Sequence, residues 1–255
     1  MPEDPRELVK RLLGVQPRLT AEHLASLDQQ PRKGGQLKPF SPKNKAKTYP
    51  GSIVRTYRLL RRMKADKEID SFREHNNEPY VWYLPDRFTP PPTNWYGRKH
   101  ELDIADLFVS YFPHITHWDT EWGVLERDQL NIPRYRVNYD ARMVLSGKVY
   151  LWEVDRGTED MDVQLEPKID KYIELAKSLP YGSFQVILTL QKYRRMNVGN
   201  RAGRLVAMLQ EKERGNQFLV ALHSDVKADP IGAVFVSPRS PERKARLSDF
   251  PYGNV

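Results

Sequence analysis

Apolar and polar residues follow two different periods along the chain, and the change between them divides it. Up to Phe88 the pattern is helical and then extended. Arg6 to Leu13 predicts a short amphipathic helix. Thr20 suits the N-cap of a second, with Leu24 and Leu27 on one face. Residues 29–47, QQPRKGGQLKPFSPKNKAK, are polar, basic and broken by Pro and Gly, and predict a long loop. Ser52 would cap a third helix, SIVRTYRLLRRMK, that buries Ile53, Tyr57, Leu60 and Met63. Ile69 to Phe72, a polar turn at His75-Asn76-Asn77, and Tyr80 to Leu84 predict a hairpin. FTPPPT, Phe88 to Thr93, can continue neither a helix nor a central strand, so it marks a boundary.

Beyond the prolines, strand and helix patterns alternate. His100 to Phe112 predicts a helix burying Leu102, Ala105, Phe108 and Val109. Strands are expected at Ile115–Gly123, Tyr135–Leu145, Lys148–Asp155, Phe184–Leu190, Phe218–His223 and Ile231–Val236. Helices are expected at Val163–Leu179 and Arg201–Arg214. This order predicts an α/β domain with a mixed sheet. The stretch after Pro238, RSPERKARLSDF, reads as disordered. The resulting division is a helix-rich domain at 1–88, a linker at 89–97, an α/β domain at 98–238 and a flexible tail at 239–255.

One strand breaks the expected chemistry. KVYLWEVDRGTED, Lys148 to Asp160, is apolar enough to be buried yet carries Glu153 and Asp155. Ser146-Gly147 suits a two-residue hairpin loop. Leu145 then faces Lys148, Val144 faces Val149, Arg142 faces Leu151, Asp140 faces Glu153 and Asn138 faces Asp155. Val137, Tyr139, Ala141, Met143, Tyr150, Trp152 and Val154 share the core side. Asn138, Asp140, Arg142, Leu151, Glu153 and Asp155 share the other. Like charges directly opposed on a ladder cost up to about 1 kcal/mol when exposed, and more under a covering helix. A divalent cation, a shared proton, or Arg142 or Arg156 as a plain ion pair could offset that cost. Hard carboxylate ligands suit Mg²⁺ or Mn²⁺. Glu101 offers a third acid. Lys168 and Tyr172 lie four apart on one helical face, and Lys168 at its margin could reach the carboxylates.

Lys and Arg total 41 against 33 acids, a net charge of +8, which favours an acidic partner, nucleic acid above all. Arg55, Arg58, Arg61 and Arg62 crowd the third helix. Helix, helix, basic helix and hairpin is the order of a winged helix-turn-helix, whose last helix lies in the major groove of DNA. The alternative is a small helical bundle whose arginines are a solvated face. Cysteine is absent, excluding disulfides and thiolate metal sites and suggesting a reducing compartment. No apolar run approaches the roughly 18 residues of a membrane span, and the first residues do not resemble a signal peptide. A cytoplasmic protein without a membrane partner is expected. HITHWDTEW offers His114 and His117, but three-residue spacing in a strand points them apart, so zinc is not expected. Residues 199–203, GNRAG, lack a phosphate-loop pattern and read as a turn.

Tyr139-Asp140-Ala141, then WEVDRGTED, then Pro167 to Tyr172 resemble the replication-relaxation proteins of plasmids and mobile elements, over roughly residues 1–180. The resemblance implies a DNA-binding winged helix-turn-helix followed by a restriction-endonuclease-like α/β domain of the PD-(D/E)XK kind. Asp140 and Glu153 match the metal-binding acids, and Glu101 the helix acid of many members. Two positions depart from that pattern. Tyr139 replaces the Pro before the Asp, and Asp155 replaces the Lys two residues after the Glu. Lys168 would have to take over the lysine's role, or Arg156 would have to substitute in part, and Asp155 could instead be a further metal ligand. Three functions stay open: a Mg²⁺- or Mn²⁺-dependent DNA endonuclease; a non-catalytic DNA-binding factor in replication or mobilisation, docking partner proteins or a second copy; and a structural protein of a phage or plasmid.

Overall fold

The computed structural model describes residues 4–28, 50–73, 75–76, 78–88, 95–120, 137–180, 182–192 and 197–250. Contacts group the chain into two compact units, Met1–Pro113 and His114–Val255. The boundary expected at the prolines falls among residues 89–94, which lie outside the described residues, as do the loop at 29–47 and residue 77 of the hairpin turn.

The first unit holds α1 (Pro5–Val15), α2 (Ala21–Asp28), α3 (Pro50–Ala65), the strands β1 (Asp70–Phe72) and β2 (Val81–Tyr83), and α4 (Trp95–Tyr111). Asp4 caps α1 by accepting from the Arg6 N–H at 2.8 Å, and Thr20 Oγ1 accepts from the His23 N–H at 3.2 Å in the first turn of α2. The helix α3 starts before Ser52, so Ser52 is an interior residue and not its cap. Leu60 and Met63 are fully buried, while Arg55, Arg58, Arg61 and Arg62 are exposed. Strands β1 and β2 pair antiparallel. Leu19, between α1 and α2, adds a bridge to Trp82, with N–H···O bonds of 2.9 and 3.3 Å in the two directions. Along α4, Leu102, Ala105 and Phe108 are buried, but Val109 is only partly so.

The second unit is a mixed α/β structure on a seven-stranded sheet. Its strands are β3 (Ile115–Thr120), β4 (Ala141–Leu145), β5 (Lys148–Asp155), β6 (Gln185–Leu190), β7 (Phe218–Leu222), β8 (Phe235–Ser237) and β9 (Ser240–Ala245), lying side by side in that order. Pairings are antiparallel from β3 to β5, parallel from β5 to β7, and antiparallel again to β9. The parallel centre reads as unbroken apolar runs because both faces are covered; QVILTL of β6 is buried throughout. The crossovers are α5 (Glu166–Ser178), entered through a π-turn at Met161–Leu165, and α6 (Val198–Glu211). A short α7 (His223–Ala228) follows β7.

Ser146 and Gly147 both have positive φ, 51° and 75°. Two left-handed residues make the tight hairpin turn that matches strand twist. The register is accordingly Leu145 with Lys148, Val144 with Val149 and Arg142 with Leu151, and the ladder ends at Ala141 with Trp152. Before Ala141 the chain bends, so the alternation expected there fails. Val137 and Tyr139 pack in the same cluster as Leu151, Ile169, Tyr172 and Leu188, on the face that α5 covers.

Two further expectations are corrected. The stretch after Pro238 is not a disordered tail: Ser240–Ala245 is the edge strand β9, paired to β8. Its side chains are nearly all exposed, and its Pro and charges are those that keep an edge from pairing with other chains. Residues 199–203 are not a turn but the first turns of α6. Among the described residues no helix is long and apolar enough to cross a membrane.

Candidate functional site

Glu153 lies in the middle of β5 with its side chain 4% exposed. It points to the face covered by α5. Helix geometry brings Lys168 and Tyr172 over it, because residues four apart share a face. Ile169, Ile173 and Ala176 of α5 are buried alongside. The Lys168 ammonium donates to Glu153 Oε2, and the Tyr172 hydroxyl donates to Glu153 Oε1. Each carboxylate oxygen has about two acceptor positions, so both keep capacity for another ligand.

Asp140 sits at the bend just before β4. Its N–H donates to the Trp152 carbonyl at 2.9 Å, and its Oδ2 accepts from the Val154 N–H at 2.7 Å. The side chain thus takes the place of the ladder carbonyl lost where β4 stops. That role accounts for Asp140 by itself. It does not account for a second carboxylate beside it in a buried strand. Burial, and then the neighbouring Asp140 charge, push the Glu153 carboxyl well above the usual range. Burial alone would lower the Lys168 ammonium, but Glu153 and Asp140 outweigh it and raise its pKa. The Tyr172 hydroxyl is raised far by burial and by Glu153. Lys168 therefore stays charged beside the two carboxylates. Two carboxylates in one place are a donor set that Mg²⁺ or Mn²⁺ takes.

Asp155 is not part of that donor set. Arg201, on α6, grips it through Nε to Oδ2 at 2.5 Å and Nη2 to Oδ1 at 3.0 Å. Oδ1 also accepts from the Gly157 N–H at 2.7 Å, and Arg201 Nη2 reaches the Glu159 carbonyl at 2.8 Å. The Asp155 side chain is 2% exposed. Arg201 was invisible in the sequence: it stands 46 residues away, in a stretch whose two glycines suggested a turn. Of the residues weighed as counter-ions, Arg142 meets Asp119 at 2.7 Å across β3 and β4, and Arg156 is buried. His117 also meets Asp119, at 2.8 Å.

The structure therefore brings Asp140, Glu153 and Lys168 together and adds Tyr172. Glu101 belongs to the first unit, where its Oε1 meets Arg18 at 2.8 Å. Burial raises the Glu101 pKa to about 7, despite the opposing pull of Arg18. Its Oε2 is buried without a hydrogen-bond partner among the described residues, which is why burial outweighs the ion pair. A raised carboxyl pKa stabilises the fold fully below about pH 4.5, and the contribution is lost as pH rises through 7. Glu101→Gln cannot ionise. Its unfolding free energy in urea is expected to fall less than that of the wild type between pH 5 and 8, by about 1 to 3 kcal/mol. Parallel pH profiles would place the ionised form of Glu101 at no disadvantage in the fold.

No known family model matches the sequence, and no curated protein matches it. Among solved structures the chain is similar to protein VC1899 from Vibrio cholerae, at 14% identity and a TM-score of 0.28, over 67% of this chain. It spans 40% of that protein's length. A likeness this loose supplies neither a family nor a function.

Proposed function

We propose that the chain is a DNA-binding protein whose second unit is a phosphodiesterase dependent on Mg²⁺ or Mn²⁺. The observation that carries this reading is Glu153, a buried mid-strand carboxylate set beside Asp140 and met from the covering helix by Lys168 and Tyr172. Asp140 and Glu153 would hold the cation. When bound, it supplies charge neutralisation at the phosphate and makes water a nucleophile at neutral pH. Lys168 then faces the phosphoryl oxygens, where negative charge grows as the new P–O bond forms and the old one breaks. Tyr172 fixes the plane of the Glu153 carboxylate. Resemblance to the replication-relaxation proteins and to PD-(D/E)XK nucleases supports the same assignment and suggests a role in plasmid replication or mobilisation.

The first unit is read as a winged helix-turn-helix. Its order of helix, bridge residue, helix, helix and hairpin supports this, as do the exposed Arg55, Arg58, Arg61 and Arg62 of α3. That helix would lie in the major groove.

A second reading is favoured by Asp155. The position that carries lysine in the nuclease pattern is here an acid locked by Arg201. If Lys168 does not replace it, the second unit is a non-catalytic element of a DNA-binding factor. Supercoiled plasmid incubated with Mn²⁺ separates the two. The nuclease nicks it, and Asp140→Ala abolishes nicking while leaving the gel shift intact. Replacing Arg58, Arg61 and Arg62 by Gln weakens the shift and flattens its salt dependence by about three phosphate contacts. Metal-independent shifting with no nicking by the wild type selects the binding factor.

A further inference from the structure

The edge strand β9 and the residues beside it carry charge of nearly one sign. Arg239 to Arg246, RSPERKAR, holds four cations and one acid. The strand itself, Ser240–Ala245, closes one side of the seven-stranded sheet and pairs with β8. Arg239, Arg243, Lys244 and Arg246 are all exposed. Lys244 meets Asp225 at 2.8 Å. The side chains of Arg239, Arg243 and Arg246 meet no acid among the described residues. In this they differ from the other described arginines of the second unit. Arg142 meets Asp119, Arg201 meets Asp155 and Arg204 meets Asp162, and Arg156 and Arg214 are engaged as well.

Protection of the sheet edge explains part of this set. A proline and a lysine are enough to blunt an edge strand, and Pro241 and Lys244 supply both. The three arginines are left over. They bury nothing and hold nothing in the fold, so stability does not require them. Arginine is the cation whose fork matches phosphate oxygens. The outer side of an edge strand also presents backbone N–H groups, which contact phosphates without reading sequence. A lipid surface is the other extended anion. It takes up apolar side chains beside the cations, and Arg239 to Arg246 offers none larger than Pro241. At about 3.3 Å per residue, Ser240 to Ala245 spans about 17 Å. Phosphates of one strand recur about every 3.4 Å along a duplex, so the strand faces about five base pairs.

We infer that Arg239, Arg243 and Arg246 form a second DNA contact, on the phosphate backbone of a duplex, that belongs to the second unit and acts without α3. The inference rests on the DNA-binding reading and adds a surface to it. Binding here is insensitive to sequence, because only phosphates are touched.

The test is fluorescence anisotropy of a labelled duplex of about 20 base pairs, in EDTA, on the full chain. Changing Arg239, Arg243 and Arg246 together to Gln is expected to lower affinity at least about tenfold at 0.1 M salt. The slope of log affinity against log salt should fall by about 3, one for each lost phosphate contact. Changing the same three to Lys keeps the slope, because the charge stays. Both variants should melt within about 2 °C of the wild type, since exposed substitutions cost little. The Arg58, Arg61 and Arg62 to Gln variant is measured beside them. If it binds weakly while the β9 Gln variant binds as the wild type does, this inference falls and DNA binding through α3 stands. If the wild type does not bind the duplex, the DNA-binding reading falls with it. Tighter binding to vesicles of one part phosphatidylglycerol to three parts phosphatidylcholine than to the duplex, lost in the β9 Gln variant, overturns the inference in favour of a lipid surface.

Discussion

Lys168→Met is expected to abolish plasmid nicking and at the same time to tighten Mn²⁺ binding. The ammonium sits on Glu153 Oε2, an oxygen that a cation must share. At an effective dielectric near 20, unit charges about 4 Å apart interact by about 4 kcal/mol. Relaxation and water return much of that, which leaves a gain in affinity of about tenfold. The variant also strips Glu153 of its counter-ion. Breaking a buried pair costs about 3 to 5 kcal/mol. Here the cost is smaller, because burial and the Asp140 charge already push the Glu153 carboxyl above its usual range. Added Mn²⁺ should therefore raise the melting temperature of Lys168→Met more than that of the wild type. Calorimetric titration and a thermal scan read both effects. Weaker Mn²⁺ binding in the variant would make Lys168 a surface residue that merely touches the site.

The second large effect belongs to Arg201. Arg201→Met is expected to destabilise the protein by about 3 to 5 kcal/mol, since it leaves the Asp155 charge buried without its fork. For a chain of this size that is a fall in melting temperature of roughly 10 °C. The Asp155→Leu/Arg201→Met double variant should regain most of the loss, because replacing both partners removes the stranded charge. The pair closes the end of β5, one residue from the Val154 N–H that holds Asp140. Arg201→Met should accordingly weaken Mn²⁺ binding as well, and the double variant should restore it in part. A loss below about 1 kcal/mol would show the pair to be solvated.

Much of the acid site could be read from the sequence, for local reasons. A two-residue loop ending in glycine sets a hairpin register, and period two then sets the faces; Arg142 opposite Leu151 follows directly. Lys168 and Tyr172 are visible as a pair because four residues make about one helical turn. The reading failed where the chain stops being regular. Val137 and Tyr139 keep strand periodicity in sequence, but the bend at Asp140 turns them onto the other face. It also failed where hydrogen bonding decides and burial does not. SPERKA has no apolar pattern, yet its backbone completes the sheet as β9. Arg201 escaped for a third reason: a long-range ion pair leaves no periodic trace, and Asp155 without its partner looked like one more metal ligand.

In the proposed function Glu153 is the seat of a cation. Isothermal titration of Mn²⁺ into wild type and Glu153→Gln tests this directly, because glutamine keeps the shape and removes the charge. The wild type is expected to bind one Mn²⁺ per chain at the Asp140 and Glu153 carboxylates. Glu153→Gln is expected to bind none. Equal binding by the two proteins, or no binding by either, would make the Glu153–Lys168 pair a plain buried salt bridge and the second unit a scaffold.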